Sequence, residues 1–422
     1  MLATGLKCIS CHEIYSIDEK ISACTKCNGF LEVEYDYEEI KNRFDKHSLD
    51  RNTMHGLWRY AEALPIRQES IVSLGEGLTP LLKTNRAGLS KLNVKLDYLF
   101  PTGSFKDRGS TVLVSKANEL EIGSIAVDST GNAAASVSAY AARAGIRCYA
   151  FIPSYTEAEK AVQLSSTKAI VIKVKGTRAD VHNVVKDACR RFGWYYCGFM
   201  TSPYAIEGTK TIAYEICEQL AWSPPDCIVF PVGTGSGILG CYKGLAELLE
   251  LGWIDRMPRL VCVQPSACAP IANAFKKGKI DIVPVVAPKT IAEGLAVGAP
   301  PKGRLVIQAL RKTDGLAETV SDDAILQSAK ALASEGLLAE VSSAASVAGA
   351  LRLIRTGVID KNENVVCELT GTSLKSREQY AKMTRRPIEI DPSLDSLIRA
   401  LKESPTHFPV KREVARKLPR RG

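Results

Sequence analysis

The sequence reads as an α/β protein built on parallel sheets, preceded by a small cysteine-rich module. Three observations predict this. Short apolar runs alternate with helical segments between about residues 124 and 371, the pattern of strands joined by crossover helices. Glycine-marked turns follow three of those runs, at 129–132, 233–240 and 370–372. Two Cys-x-x-Cys pairs, Cys8/Cys11 and Cys24/Cys27, stand near the amino terminus.

The elements follow in order. SIAVDS (124–129) is a strand running into Ser129-Thr130-Gly131-Asn132, and an alanine-rich helix over 133–145 is stopped by Gly145. RCYAFIP (147–153) and AIVIKV (169–174) are strands, each followed by a helix, from about 157 and over about 178–192. DCIVFPV (226–232) leads through Gly233, Gly235, Gly237 and Gly240 into another helix, and RLVCVQ (259–264) is the next strand. Helices are expected over 322–336 and 343–357, with a late strand at 363–371. Such alternation puts a ligand site at the carboxyl ends of the strands. The expected organisation is a module at 1–48, a body at 49–383 with a smaller subdomain near 112–200, and a tail at 384–422.

Composition narrows the class. The 422 residues are 45% hydrophobic and 24% charged, too apolar for a disordered chain. No apolar run reaches the ~20 residues that cross a bilayer, and MLATGLKC holds no signal-peptide core, so a cytoplasmic protein is expected. A net charge of +9 would suit a nucleic-acid partner, but residues 384–422 carry 10 Lys/Arg against 5 Asp/Glu. The excess sits in this tail, whose end (410–422) has little apolar content and is expected to be solvated or flexible, and nucleic acid is not the expected partner.

Thirteen cysteines without a secretory signal point to reduced thiols or metal ligands. A two-residue spacer turns both thiolates of a knuckle toward one ion, and two knuckles complete a tetrahedral four-sulfur zinc site. With all four positions filled by sulfur, the metal at Cys8, Cys11, Cys24 and Cys27 is structural. Metal binding would supply ~10 kcal/mol or more of the folding energy of so small a module. His12 is read as a solvated neighbour.

The turn Gly233-Thr234-Gly235-Ser236-Gly237 can close its backbone amides on a phosphate, with a helix dipole behind them, or serve as a helix cap needing small residues. Residues 235, 237 and 240 also fit G-x-G-x-x-G, but the next strand ends at Gln264-Pro265 with no acid for a ribose, which argues against a dinucleotide. A fourth small-residue cluster, PTGSFKDRG (101–109), carries Lys106. Alone, that lysine reads as a surface charge. Beside a phosphate cradle it can hold an aldehyde cofactor.

The motifs PTGSFKDRG, STGNAAAS, EGTKTIAYE, PVGTGSG and ELTGTSLK, with GEGLTPL at 75–81, resemble threonine synthase and its relatives among the fold-type-II pyridoxal phosphate enzymes. The resemblance spans roughly residues 70–380, and several such enzymes carry a similar zinc module. It implies a tryptophan synthase β-like fold with two open parallel-sheet domains, and a homodimer. It implies that Lys106 forms the Schiff base and shuttles protons, and that Phe105 lies against the cofactor ring. Asn132 would bond the phenolic oxygen, Gly233, Thr234, Gly235, Ser236 and Gly237 the phosphate, and Thr370 the pyridine nitrogen. Ser129, Thr130 and Gly131 would hold the substrate carboxylate, and Glu207 would sit near the cofactor.

The departures from that family fall at the substrate end. Phe199 and Met200 stand where a polar Asn-Ser pair is usual, and Ala205 where an arginine for the substrate phosphate is expected. Phe100 replaces an asparagine, and Thr234 and Thr372 stand where asparagine and histidine are common. A phosphate dianion among Phe, Met and Ala is poorly paired, so Arg108 and Lys210 are considered as compensating cations. The leading expectation is conversion of O-phosphohomoserine to threonine and phosphate. The alternatives are a β-replacement or β-elimination enzyme of the same fold, similar to cysteate synthase or threonine dehydratase, and a non-enzymatic zinc-ribbon binding protein.

Overall fold

The computed structural model describes residues 1–84, 92–129, 131–154, 156, 158–286, 289–384 and 387–403. The chain divides into two units, Met1–Arg377 and Glu378–Gly422. Three sheets lie in the first. The antiparallel amino-terminal sheet has the order β2-β1-β3, from β1 (Ala3–Cys8), β2 (Ile14–Tyr15) and β3 (Leu31–Tyr35).

The larger sheet is built from β4 (Leu81–Lys83) and β5 (Leu92–Lys95), then the four-stranded sheet from β6 (Ser124–Val127), β7 (Arg147–Pro153), β8 (Ile170–Val174) and β9 (Tyr195–Tyr196). The larger sheet is completed by β10 (Cys227–Pro231), β11 (Arg259–Pro265), β12 (Leu316–Val320) and β13 (Val365–Glu368). Its order is β12-β11-β10-β13-β5-β4, parallel except for the edge pair β4/β5. The smaller sheet has the order β8-β7-β6-β9 and is wholly parallel.

Every residue of β10 is buried, which matches its uninterrupted apolar sequence and a sheet covered on both faces. Val229 of β10 pairs with Val261 on one side and with Cys367 of β13 on the other. That register sets the turns after β10 and β13 next to each other at the carboxyl ends of the strands. The helix Asn132–Ala144 starts directly after β6 and its loop, and ends at Gly145 with φ +71°, the left-handed conformation glycine accepts most readily.

The cysteine module does not bury a core of its own. Leu6, Cys8, Cys24, Leu31 and Val33 pack in one cluster with Trp58, Val72, Val112, Leu113 and Tyr204 of the body. A fold of its size has too little interior surface to stand alone, and here it shares the interior of the larger unit. No helix among the described residues is long and apolar enough to cross a membrane. Residues 410–422, expected to be a solvated end, lie outside the described residues.

Candidate active site

Hydrogen bonds bring residues of the four glycine-marked turns together at the carboxyl ends of the strands. Phe105 N–H donates to Thr370 O at 2.9 Å, and Ser104 pairs with Gly371 as an isolated β-bridge. These bonds fix the PTGSFK turn beside the turn after β13. Lys106 is the first residue of the helix Lys106–Glu119, and its Nζ donates to Ser236 Oγ at 2.7 Å. The lysine therefore faces the first residue of the helix Ser236–Glu250, on the far side of the Gly233–Gly237 turn. Gly235 has φ +93°, and a Cβ there would stand 2.6 Å from Val306, so the turn requires glycine. The backbone N–H groups at the start of this 15-residue helix suit a phosphate.

Two aromatic rings flank the lysine. Its Nζ lies 4.1 Å from the centroid of Phe105 and 4.4 Å from that of Phe199. Burial pushes the Lys106 ammonium down to about 7, against an opposing pull from Glu340. A substantial fraction is thus the neutral amine near pH 7, the form that attacks a carbonyl or takes a proton.

Asn132, at the start of its helix, is held from both sides. Its Nδ2 donates to Glu340 Oε2 at 3.1 Å and its Oδ1 accepts from Lys375 Nζ at 2.7 Å. The two partners fix the orientation of the amide. Thr370 Oγ1 pairs with Ser343 Oγ at 2.9 Å, and Ser343 Oγ also accepts from Gly371 N–H at 3.0 Å. Ser129 Oγ accepts from Gly131 N–H at 3.3 Å. Thr130 lies outside the described residues.

Several residues of this crevice were not singled out from the sequence. Glu340 is the N-cap of the helix Val341–Arg355, which starts two residues earlier than expected. An acid directly ahead of a small-residue helix was the available signal. Lys375 stood at the end of ELTGTSLK without a role. Asp107 accepts from Thr102 N–H at 2.8 Å and from Ser136 Oγ at 2.5 Å, which ties the PTGSFK turn to the Asn132 helix. Burial raises its carboxyl to about 6.

Arg108, Glu207 and Lys210, expected near the substrate or cofactor, are engaged in buried ion pairs with other side chains. Arg108 is fully buried, with Asp97 at 2.7 Å and Glu215 at 2.6 Å. Burial opposes ionisation of Glu215, but Arg108 and Lys95 outweigh it and hold the carboxyl at about 2. Lys210 Nζ is 2.7 Å from Glu207 and 2.8 Å from Glu247, and Lys243 reaches Glu207 at 2.7 Å. Tyr35 of β3 donates to Glu207 at 2.7 Å. Two lysines and two glutamates thus balance inside the protein, because a buried charge persists only when paired. Their place is the seam between the cysteine module and the body.

Two of the substrate-end departures, Phe199 and Ala205, lie at a close crossing of helices. Ala205 is fully buried in the helix Pro203–Thr209. A Cβ on Gly109 would stand 2.6 Å from Ala205 O and 2.5 Å from the Phe199 ring, and one on Gly208 would stand 1.8 Å from Arg108 O. The helices Lys106–Glu119 and Pro203–Thr209 therefore cross closely beside Ala205.

At the amino terminus, the Sγ atoms of Cys8, Cys11, Cys24 and Cys27 all lie within 4.8 Å of one another. Three of the separations are 3.4–3.6 Å. A tetrahedral ion with bonds of about 2.3 Å needs sulfurs about 3.8 Å apart. The set fits a single tetrahedral ion and is compatible with a zinc-ribbon module.

A lysine of lowered basicity, facing a glycine-rich cradle at the strand ends of a parallel sheet, defines the class: an enzyme that carries an aldehyde cofactor on a lysine. The family described as "Pyridoxal-phosphate dependent enzyme" matches residues 72–371, and the chain belongs to it. Threonine synthase of Methanocaldococcus jannaschii is 40% identical over 94% of this chain and 99% of its own length. That of Methanosarcina acetivorans is 39% identical over 94% of this chain and 98% of its own. Among solved structures, maize serine racemase superposes with a TM-score of 0.63 at 23% identity, covering 72% of this chain and 91% of that one. Threonine deaminase isoform 2 of Solanum lycopersicum gives a TM-score of 0.63 at 22% identity, over 78% and 91% of the two chains. These two likenesses bear out the fold type. The chain is a pyridoxal phosphate-dependent lyase similar to threonine synthase, and the non-enzymatic reading is set aside.

Proposed function

We propose that the chain converts O-phosphohomoserine to threonine and inorganic phosphate, with Lys106 as the residue that holds pyridoxal phosphate and moves the protons. The observation that carries this reading is the Lys106 Nζ. It is enclosed, lowered to about 7, and 2.7 Å from Ser236 at the head of the glycine cradle.

The donor set fits the cofactor. Gly233, Thr234, Gly235, Ser236 and Gly237 would take its phosphate. Asn132 would donate to the phenolic oxygen, and Thr370 Oγ1 would meet the ring nitrogen. A hydroxyl leaves that nitrogen uncharged, unlike a carboxylate. The bound cofactor supplies an electron sink for the substrate's α-carbon. Phe105 and Phe199 shield Nζ from water and help to keep it neutral. The neutral Nζ would take the substrate's α-proton and return protons to the substrate's carbons. Ser129, Thr130 and the Gly131 amide, at the start of the 13-residue Asn132 helix, would hold the substrate carboxylate.

The test is turnover of the purified holoenzyme with O-phosphohomoserine, with threonine and serine, and with phosphoserine plus sulfite in parallel. Release of threonine and phosphate together supports the proposal, and no threonine from O-phosphohomoserine refutes it. A β-replacement or β-elimination product in the other arms would point to the same-fold alternatives.

Incorporation of the cofactor into the apoprotein has its own pH dependence. Because burial lowers the Lys106 amine, the neutral form appears as pH rises through about 7, not above 10. The incorporation rate should therefore climb through about pH 7 and level off above it. A rate still rising at pH 9 would contradict an enclosed lysine.

The four cysteines would hold one structural zinc, as their mutual distances favour, and a metal assay should return about one equivalent per chain. The protein is further proposed to act as a cytoplasmic homodimer without a nucleic-acid partner. Light scattering on the purified protein reads the oligomeric state.

A further inference from the structure

We infer that Lys375 is the cation that receives the negatively charged leaving group of the substrate. The inference rests on the proposed reaction, whose substrate carries a phosphate dianion on its γ-position. Such a group needs a cation in the crevice that is not already committed.

The expected candidates cannot serve. Ala205 occupies the arginine position, is buried and carries no charge. Arg108 is taken by Asp97 and Glu215, and Lys210 by Glu207 and Glu247. Lys106 is needed for the cofactor.

Lys375 is differently placed. It comes from the turn Ser373–Lys375 after β13, on the Thr370 side of the crevice. Its Nζ reaches Asn132 Oδ1 at 2.7 Å, which puts the ammonium at the head of the Asn132 helix, next to the loop proposed to hold the substrate carboxylate. Its stem runs past Gly103, close enough that a Cβ there would touch Lys375 Cε at 3.5 Å. Among the described residues one N–H of the ammonium is used, by Asn132, and an ammonium has two more to offer a ligand.

The charged groups that face it are Glu340, from the head of the Val341–Arg355 helix, and Asp107, from the Lys106 helix. Both act on it through space, and burial works against its charge. An incoming dianion would relieve that burial penalty by direct pairing. The positive end of the Asn132 helix adds to the attraction.

The experiment compares wild-type holoenzyme with Lys375→Ala and Lys375→Arg. Turnover of O-phosphohomoserine is measured, and inorganic phosphate is titrated while the visible band of the bound cofactor is followed. Loss of one charge-assisted contact predicts a KM at least about tenfold higher in Lys375→Ala and phosphate binding weakened by a similar factor. Lys375→Arg should recover most of both. A residue that only steadied Asn132 would instead lower kcat and shift the cofactor band, with phosphate binding unchanged, and that result would overturn the inference. So would unchanged KM and phosphate binding in both variants. If the wild-type protein makes no threonine, the proposed reaction fails. The phosphate titration still decides the role of Lys375, since it needs no turnover.

Discussion

Lys106→Ala is expected to lower kcat by about 10⁴-fold or more, the size of a lost general base compounded by loss of the covalent hold on the cofactor. The same variant should lose the visible absorption of lysine-bound pyridoxal phosphate. Its fold should survive. The Nζ makes one hydrogen bond to a neutral hydroxyl among the described residues, and burial already opposes its charge. Removing it leaves no carboxylate stranded inside. Unchanged thermal unfolding with activity abolished is therefore the expected pair of results. Retained activity would remove Lys106 from the chemistry.

Lys210→Met is expected to do the reverse. Lys210 sits between Glu207 and Glu247, at 2.7 and 2.8 Å, all three nearly inaccessible to water. Without it, two buried carboxylates share the single charge of Lys243. Breaking a buried ion pair in this way costs about 3–5 kcal/mol. The effect should appear as a lower unfolding midpoint. The loss should also loosen the cysteine module, because Tyr35 of β3 donates to Glu207 and Lys243 Nζ donates to Val33 O. A variant with normal stability but a raised KM would return Lys210 to the substrate pocket.

The contrast between these two lysines shows what the sequence carries. Lys106 is recognisable because its neighbours are local in the chain, with small residues before it and a helix after it. The glycine turn at 233–237 is legible for the same reason, since its conformation is a property of its own residues. Lys210 and Arg108 look like candidate ligands because a charge written in a sequence does not show its partner. Apart from Glu207, three residues before Lys210, their partners come from positions 97, 215 and 247, brought near only by the tertiary fold.

Other features depend on distant pairing in the same way. The strand at 92–95 is too short and too mixed to stand out, and it becomes a strand by pairing with β13 at 365–368. The strand at 316–320 likewise pairs with β11. Glu340 enters the crevice because Gly371 lacks a side chain. A Cβ there would stand 2.1 Å from the Glu340 carboxylate. No periodicity announces that proximity. At the cysteine module the spacing alone announced the cluster of four thiols, because each two-residue spacer brings its pair of sulfurs together locally.

The central claim is that the crevice at the carboxyl ends of the strands holds pyridoxal phosphate on Lys106. Borohydride reduction of the holoenzyme, followed by digestion and peptide mass spectrometry, reads this directly. The account predicts the pyridoxyl mass on the peptide containing Lys106 and on no other lysine. A modification on Lys375 or another lysine, with Lys106 unmodified, would contradict it.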